Sequence, residues 1–274
     1  MMEKIVIVVV SVLASSSAGW FDTYPQPEWR DLSVTFGSFS RLPRKAEDAI
    51  SSGWILDKPC SGNNPYFGNR YILDGDVSTM LLFDKQGYIA GIQTKIPKTD
   101  EYPDAKIRKF FIEEDGAMVI TAYFVQDPST ICTTGRTAQQ FQEEGTGTAL
   151  HIQSGSNPRT DLMTIPMLQS DMAGTQWTEG QCFWGMGKHY WYNVRRDMDC
   201  KEFYPVFAMY NNGKLNSFGW AFYVHFSSSR YEHPSNTNLE FFMKPVPTCL
   251  TSGAFNGFST IHIYLDRRPY FNFC

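Results

Sequence analysis

The chain has 274 residues, 42% hydrophobic and 15% aromatic, with 24 Lys and Arg against 28 Asp and Glu for a net charge of −4. That length buries a sizeable core without help from a metal. The mild acidity leaves no basic face of the kind nucleic acid requires.

The N-terminus reads as a secretory signal peptide over residues 1–18. Lys4 precedes a run of apolar and small residues from Ile5 to Ala14, then Ser15-Ser16-Ser17-Ala18, whose small side chains place cleavage after Ala18. The run falls short of the roughly twenty apolar residues that cross a bilayer. The remainder, 19–274, is expected to be a single secreted, extracellular β-rich domain. Trp20 to Arg44, rich in Pro and aromatics without a period, reads as an extended lead-in. Pro43-Arg44-Lys45-Ala46-Glu47-Asp48-Ala49-Ile50 predicts a short N-terminal helix, opened by a proline suited to a first turn and stopped near Gly53.

From Trp54 onward short β-branched and aromatic runs are punctuated by Gly, Asn and Asp, and three hairpins are predicted. Met80 to Phe83 and Tyr88 to Ile96 flank Asp84-Lys85-Gln86-Gly87, and Ile107 to Ile112 and Ala117 to Val125 flank Glu113-Glu114-Asp115-Gly116. Val206 to Tyr210 and Lys214 to Phe226 flank Asn211-Asn212-Gly213. Each turn ends in a glycine able to take positive φ. The first and third hairpins are alike, down to a glycine in the return strand (Gly91, Gly219), as two related halves would be, although hairpin chemistry alone gives the same pattern. Ala138 to Gly145 reads as a short helix or a polar loop. The expected fold is all-β, an antiparallel sandwich or flattened barrel with a short N-terminal helix. No stretch after the signal peptide is expected to span a membrane; the most apolar, Phe218 to Phe226, is too short.

Six cysteines behind a signal peptide imply disulfides. The pairing expected is Cys182 with Cys200 across a hairpin-like segment, Cys60 with Cys132, and Cys249 with Cys274. With no Cys-x-x-Cys, neither a catalytic thiol nor a zinc ribbon is indicated.

There is no Gly-x-Ser-x-Gly, His-Glu-x-x-His or phosphate loop; Gly185-Met186-Gly187-Lys188 lacks the spacing of the last, and Asp74-Gly75-Asp76 reads as a polar turn rather than a calcium loop. Four of the five histidines lie between residues 189 and 274. His189, His233 and His262, if carried by neighbouring strands, would hold copper or zinc and keep a position open for water, oxygen or substrate. His262 shares its strand face with Thr260 and Tyr264, opposite Ile261 and Ile263. Tyr231 and Glu232 beside His233 would serve it as acceptor or proton relay, or simply form a turn. Trp184 and Trp191 flank glycine-rich loops and, with Tyr231, are the candidates for binding a ligand. The expected function is to bind a small molecule, glycan or matrix component through aromatic-lined loops. The alternative is a secreted, His-ligated metal-dependent enzyme of the copper oxidoreductase kind.

Overall fold

A computed structural model describes residues 28–99, 101–252 and 257–274; the expected signal peptide lies outside the described residues. In chain order the described strands are β1 (Ser33–Val34), β2 (Ser40–Arg41), β3 (Ile55–Lys58), β4 (Asn69–Leu73), β5 (Asp76–Phe83), β6 (Ile89–Pro97), β7 (Ile112–Glu114) and β8 (Ala117–Tyr123). They continue with β9 (Leu150–Gln153), β10 (Leu162–Ile165), β11 (Trp177–Phe183), β12 (Gly187–Tyr192), β13 (Val206–Asn211), β14 (Lys214–Phe222) and β15 (Ser259–Tyr264). The helices are α1 (Ala46–Ser51), α2 (Ala105–Arg108) and α3 (Ala138–Glu144).

The hairpins follow from their turn residues. Asp74-Gly75, Asp115-Gly116 and Asn212-Gly213 all take positive φ at both positions (54° and 72°, 51° and 72°, 50° and 76°). Such turns have a twist that matches the flanking strands, and Asp or Asn before Gly adopts them at least cost. Asp84 serves the longer turn before β6, its carboxylate accepting from the backbone of Gln86 at 2.9 Å and Tyr88 at 3.0 Å.

Two open antiparallel sheets result. One has the order β10-β9-β8-β6-β5-β4-β3, with β7 also paired to β8, and the other runs β11-β12-β13-β14-β15-β1-β2. Inward faces meet in a shared core, Leu81, Phe83 and Ile92 from the first sheet against Phe218, Trp220 and Ile261 from the second. The fold is therefore the expected all-β sandwich, and neither sheet closes on itself. The lead-in supplies β1, which pairs with β15 through Ser33 to Tyr264 and Val34 to Ile263.

Each sheet is also covered on its outer face. Tyr66, Met80 and Tyr123 form an apolar layer on the first, beside a buried ion cluster in which Arg70 donates to Asp57 and to Glu114, both at 2.6 Å. On the second sheet, Trp191, Phe207 and Met209 are roofed by Leu239, Met243, Leu250 and Phe258 from the segment before β15.

Some elements depart from the sequence reading. The strand expected over Ile107 to Ile112 is instead α2 followed by a turn, because Asp104 caps the helix by accepting from Lys106 N–H at 3.0 Å. The N-terminal helix starts at Ala46 and not at Pro43, since Lys45 is held extended in a bridge to Tyr88. Residues Ala138 to Glu144 are a helix, closed by a capping box between Thr137 and Gln140.

Of the disulfides, Cys60–Cys132 is as expected, and the other two are Cys182–Cys274 and Cys200–Cys249. A Cys182–Cys200 bond is prevented by the sheet itself. Cys182 stands opposite Lys188, on the side of β12 that carries Tyr190 inward, whereas Cys200 is buried in the outer layer. No disulfide closes the hairpin between β11 and β12, which is held by its ladder and by cross-strand pairs such as Lys188 with Glu179 at 2.6 Å.

Candidate functional site

The roofed outer face of the second sheet holds a cavity of about 260 Å³, built from a cross-strand row. Trp191 on β12 stands opposite Phe207 on β13, Phe207 opposite Gly219 on β14, and Gly219 opposite His262 on β15. Gly219 makes the row work. A Cβ at that position would collide with Phe207 Cζ, so its absence lets the Phe207 ring lie across β14 and reach His262 with ring centroids 5.0 Å apart.

Phe36, Phe183, Phe242, Leu239 and Met243 complete the apolar wall. One carbonyl fixes the roof to both β11 and β12. Phe242 O accepts from Trp191 Nε1 at 2.9 Å and from Gln181 N–H at 3.1 Å, and the side chain missing at Gly180 leaves room for it.

Three imidazoles, those of His189, His233 and His262, and one carboxylate, that of Glu232, supply most of the polarity. His262 Nδ1 donates to Glu232 Oε2, and Phe36 N–H donates to Glu232 Oε1. The Thr260 hydroxyl donates to Oε2 at 3.3 Å, so the carboxylate is held by three donors, two on β15 and one in the loop after β1. Glu232 arrives here because its backbone pairs with Thr260 on the stretch of β15 that lies beyond the end of β1, which puts its side chain beside His262 two residues along. A carboxylate oxygen accepts, so the proton is on His262 Nδ1.

His189 lies one register step away, its ring stacked near Trp191 and Phe207 and 6.2 Å from that of His262. Its Nδ1 donates to Gln181 O at 3.3 Å, leaving Nε2 buried without a partner. Burial, helped by the neighbouring His262, pushes its pKa down to about 3, so the ring is neutral.

The three histidines singled out from the sequence therefore line one cavity. His233, exposed at its rim, is turned to Phe258 O at 3.0 Å and stacked on His225 at 3.7 Å. Among the described residues, however, no group of three or more His, Cys, Asp or Glu side chains is placed to hold a metal ion. Of the aromatic candidates, Trp191 is in the wall, and Tyr231 sits between the sheets with its hydroxyl 3.2 Å from that of Thr94. Trp184 is on the surface, 68% exposed and away from the cavity.

Glu232 was legible as a partner for a histidine, but for His233, its neighbour in sequence, and not for His262. Phe36, Phe207 and Phe242 gave no signal beyond aromaticity. Gly219 did, since a glycine between Phe218 and Trp220 in a strand marks a close approach. Comparison of the chain with protein-family models, with curated proteins and with solved structures finds no match.

Proposed function

We propose that the chain is a secreted, extracellular protein that binds a small, largely apolar molecule of one or two rings in the roofed cavity of the second sheet. The reading rests on one observation: a cavity of about 260 Å³ walled by aromatic, Leu and Met side chains, with a single carboxylate–imidazole pair, Glu232 and His262, in its lining. A wall of that composition gains free energy by covering an apolar ligand, and the few polar groups among it, Glu232 and His262 foremost, fix the orientation of a hydrogen-bonding group on it. The size favours a small molecule over a glycan chain or matrix polymer, which calls for an open cleft. The three disulfides and the absence of a long apolar helix among the described residues are in keeping with secretion.

The test is a titration with the neutral two-ring fluorophore 1-aminonaphthalene, followed by competition with indoles, phenols and aliphatic alcohols. Leu239→Trp, which fills the cavity from the roof, is expected to weaken probe binding by roughly tenfold or more, about 1.4 kcal/mol. His262→Gln is expected to keep the probe and change the order of the competitors. Equal affinity in the parent and L239W proteins would refute the assignment.

A further inference from the structure

We infer that the C-terminal run and the β11–β12 turn together form a second binding surface, which docks on an anionic lipid bilayer. Trp184, Tyr270, Phe271 and Phe273 are 68%, 49%, 52% and 58% exposed. They form one patch. Trp184 lies parallel to Phe273 with centroids 6.2 Å apart, Phe273 is 6.2 Å from Phe271, and Phe271 is 4.9 Å from Tyr270. Scattered apolar residues on a surface need no explanation, but four contiguous large rings do.

The rings are held outward. The Cys182–Cys274 disulfide fastens the run to β11, and Asn211 Oδ1 accepts from the backbone of Phe273 at 2.9 Å and Cys274 at 3.0 Å. Gly185 N–H donates to Asn272 O at 2.9 Å, and Trp184 Nε1 donates to Tyr270 O at 3.1 Å. Backbone so anchored cannot fold the rings away, so the surface is ready without an ordering cost.

Charge selects the partner. The only charged side chains in residues 267–274 are Arg267 and Arg268, both exposed, with the Arg268 guanidinium over the Phe271 ring at 5.6 Å. On a chain of net charge −4, that sets one arginine against the aromatic patch and a second exposed beside it in sequence. Aromatic rings settle at the headgroup level of a bilayer and arginines bind its anionic headgroups. A second copy of the chain would set the arginines against themselves. A sugar would need hydrogen-bonding groups around its ring, and the Trp184 Nε1 is already spent on Tyr270.

The experiment is co-sedimentation of the full mature protein with vesicles of phosphatidylcholine, with and without about one third phosphatidylserine. Binding is expected only with the anionic lipid. It should fall roughly tenfold in R267Q/R268Q and by a similar factor in F271S/F273S, both checked for native near-ultraviolet circular dichroism. Tryptophan emission from the patch should shift to the blue on binding, a shift that W184F diminishes. No binding to either vesicle, equal binding to both, retention on immobilised glycans in its place, or concentration-dependent dimerisation abolished by F271S/F273S would each overturn the proposal.

Discussion

His189 illustrates how much one ring reports about its surroundings. Its ordinary pKa is 6.5 and its folded value is pushed to about 3 by burial and by His262. Between those values the unfolded chain takes up a proton that the native ring refuses. The native state is therefore at full strength above about pH 6.5 and loses about 1.4 kcal/mol per pH unit as the pH falls toward 3. His189→Phe, which keeps an aromatic ring between Trp191 and Phe207, is expected to unfold in urea within about 1 kcal/mol of the parent at neutral pH. At about pH 5 it should be the more stable of the two, and an unchanged gap between the two pH values would argue against this account. His262 was also readable from its strand, whose alternation puts it with Thr260 and Tyr264. What alternation does not disclose is the partner. Glu232 reaches His262 because its backbone bridges Thr260, a contact 28 residues apart in sequence.

At the level of elements, the turns were the most legible part of the chain, because positive φ is a demand that few residues meet. Asp115-Gly116 marked its turn correctly even though the strand assigned before it, Ile107 to Ile112, is the end of α2 and a turn, with only Ile112 in β7. Ile107 to Phe111 carries β-like residues, and Asp104 with its capping bond decides the outcome locally. The roof over the cavity was illegible for a different reason: its 3₁₀ helix, Asn236–Phe241, has no apolar period and is positioned by its contacts with β11. On the opposite sheet, Arg70 and Glu114 are a charged pair with side chains only 2% and 7% exposed. Burial alone would raise the Glu114 carboxyl, but the bonds from Arg70 and Lys58 outweigh it and hold the group below the usual range. Arg70→Met leaves that carboxylate buried and less well compensated, and a loss of about 3 kcal/mol in urea unfolding is expected. Adding Glu114→Met should recover much of it; a double variant as weak as the single would show that the cost is steric.

For the whole molecule, the even cysteine count announced crosslinks correctly, while two of the three partners could be chosen only with the layers in view. Cys182 and Cys200 are near in sequence yet belong to opposite sides of a sheet. The bonds span 72, 92 and 49 residues. In the chain-entropy account each is worth about 4 kcal/mol, with differences below about 1 kcal/mol among them. Removing any one pair by Ser substitution should thus lower the thermal midpoint by comparable amounts, and a pair whose removal costs nothing would show that its loop is ordered in the unfolded chain. The topology has one more consequence. The chain finishes its first sheet at Ile165 and begins the second at Trp177, yet β1, near the beginning of the described chain, is zipped onto β15, near its end. A protease cut between residues 166 and 176 would give two fragments still joined by the β1–β15 pairing and by the shared core between the sheets, though by none of the three disulfides. A chain nicked there is expected to run as one particle in gel filtration without denaturant, whereas a version beginning after Arg41 would leave β15 with a bare edge to offer to a stranger.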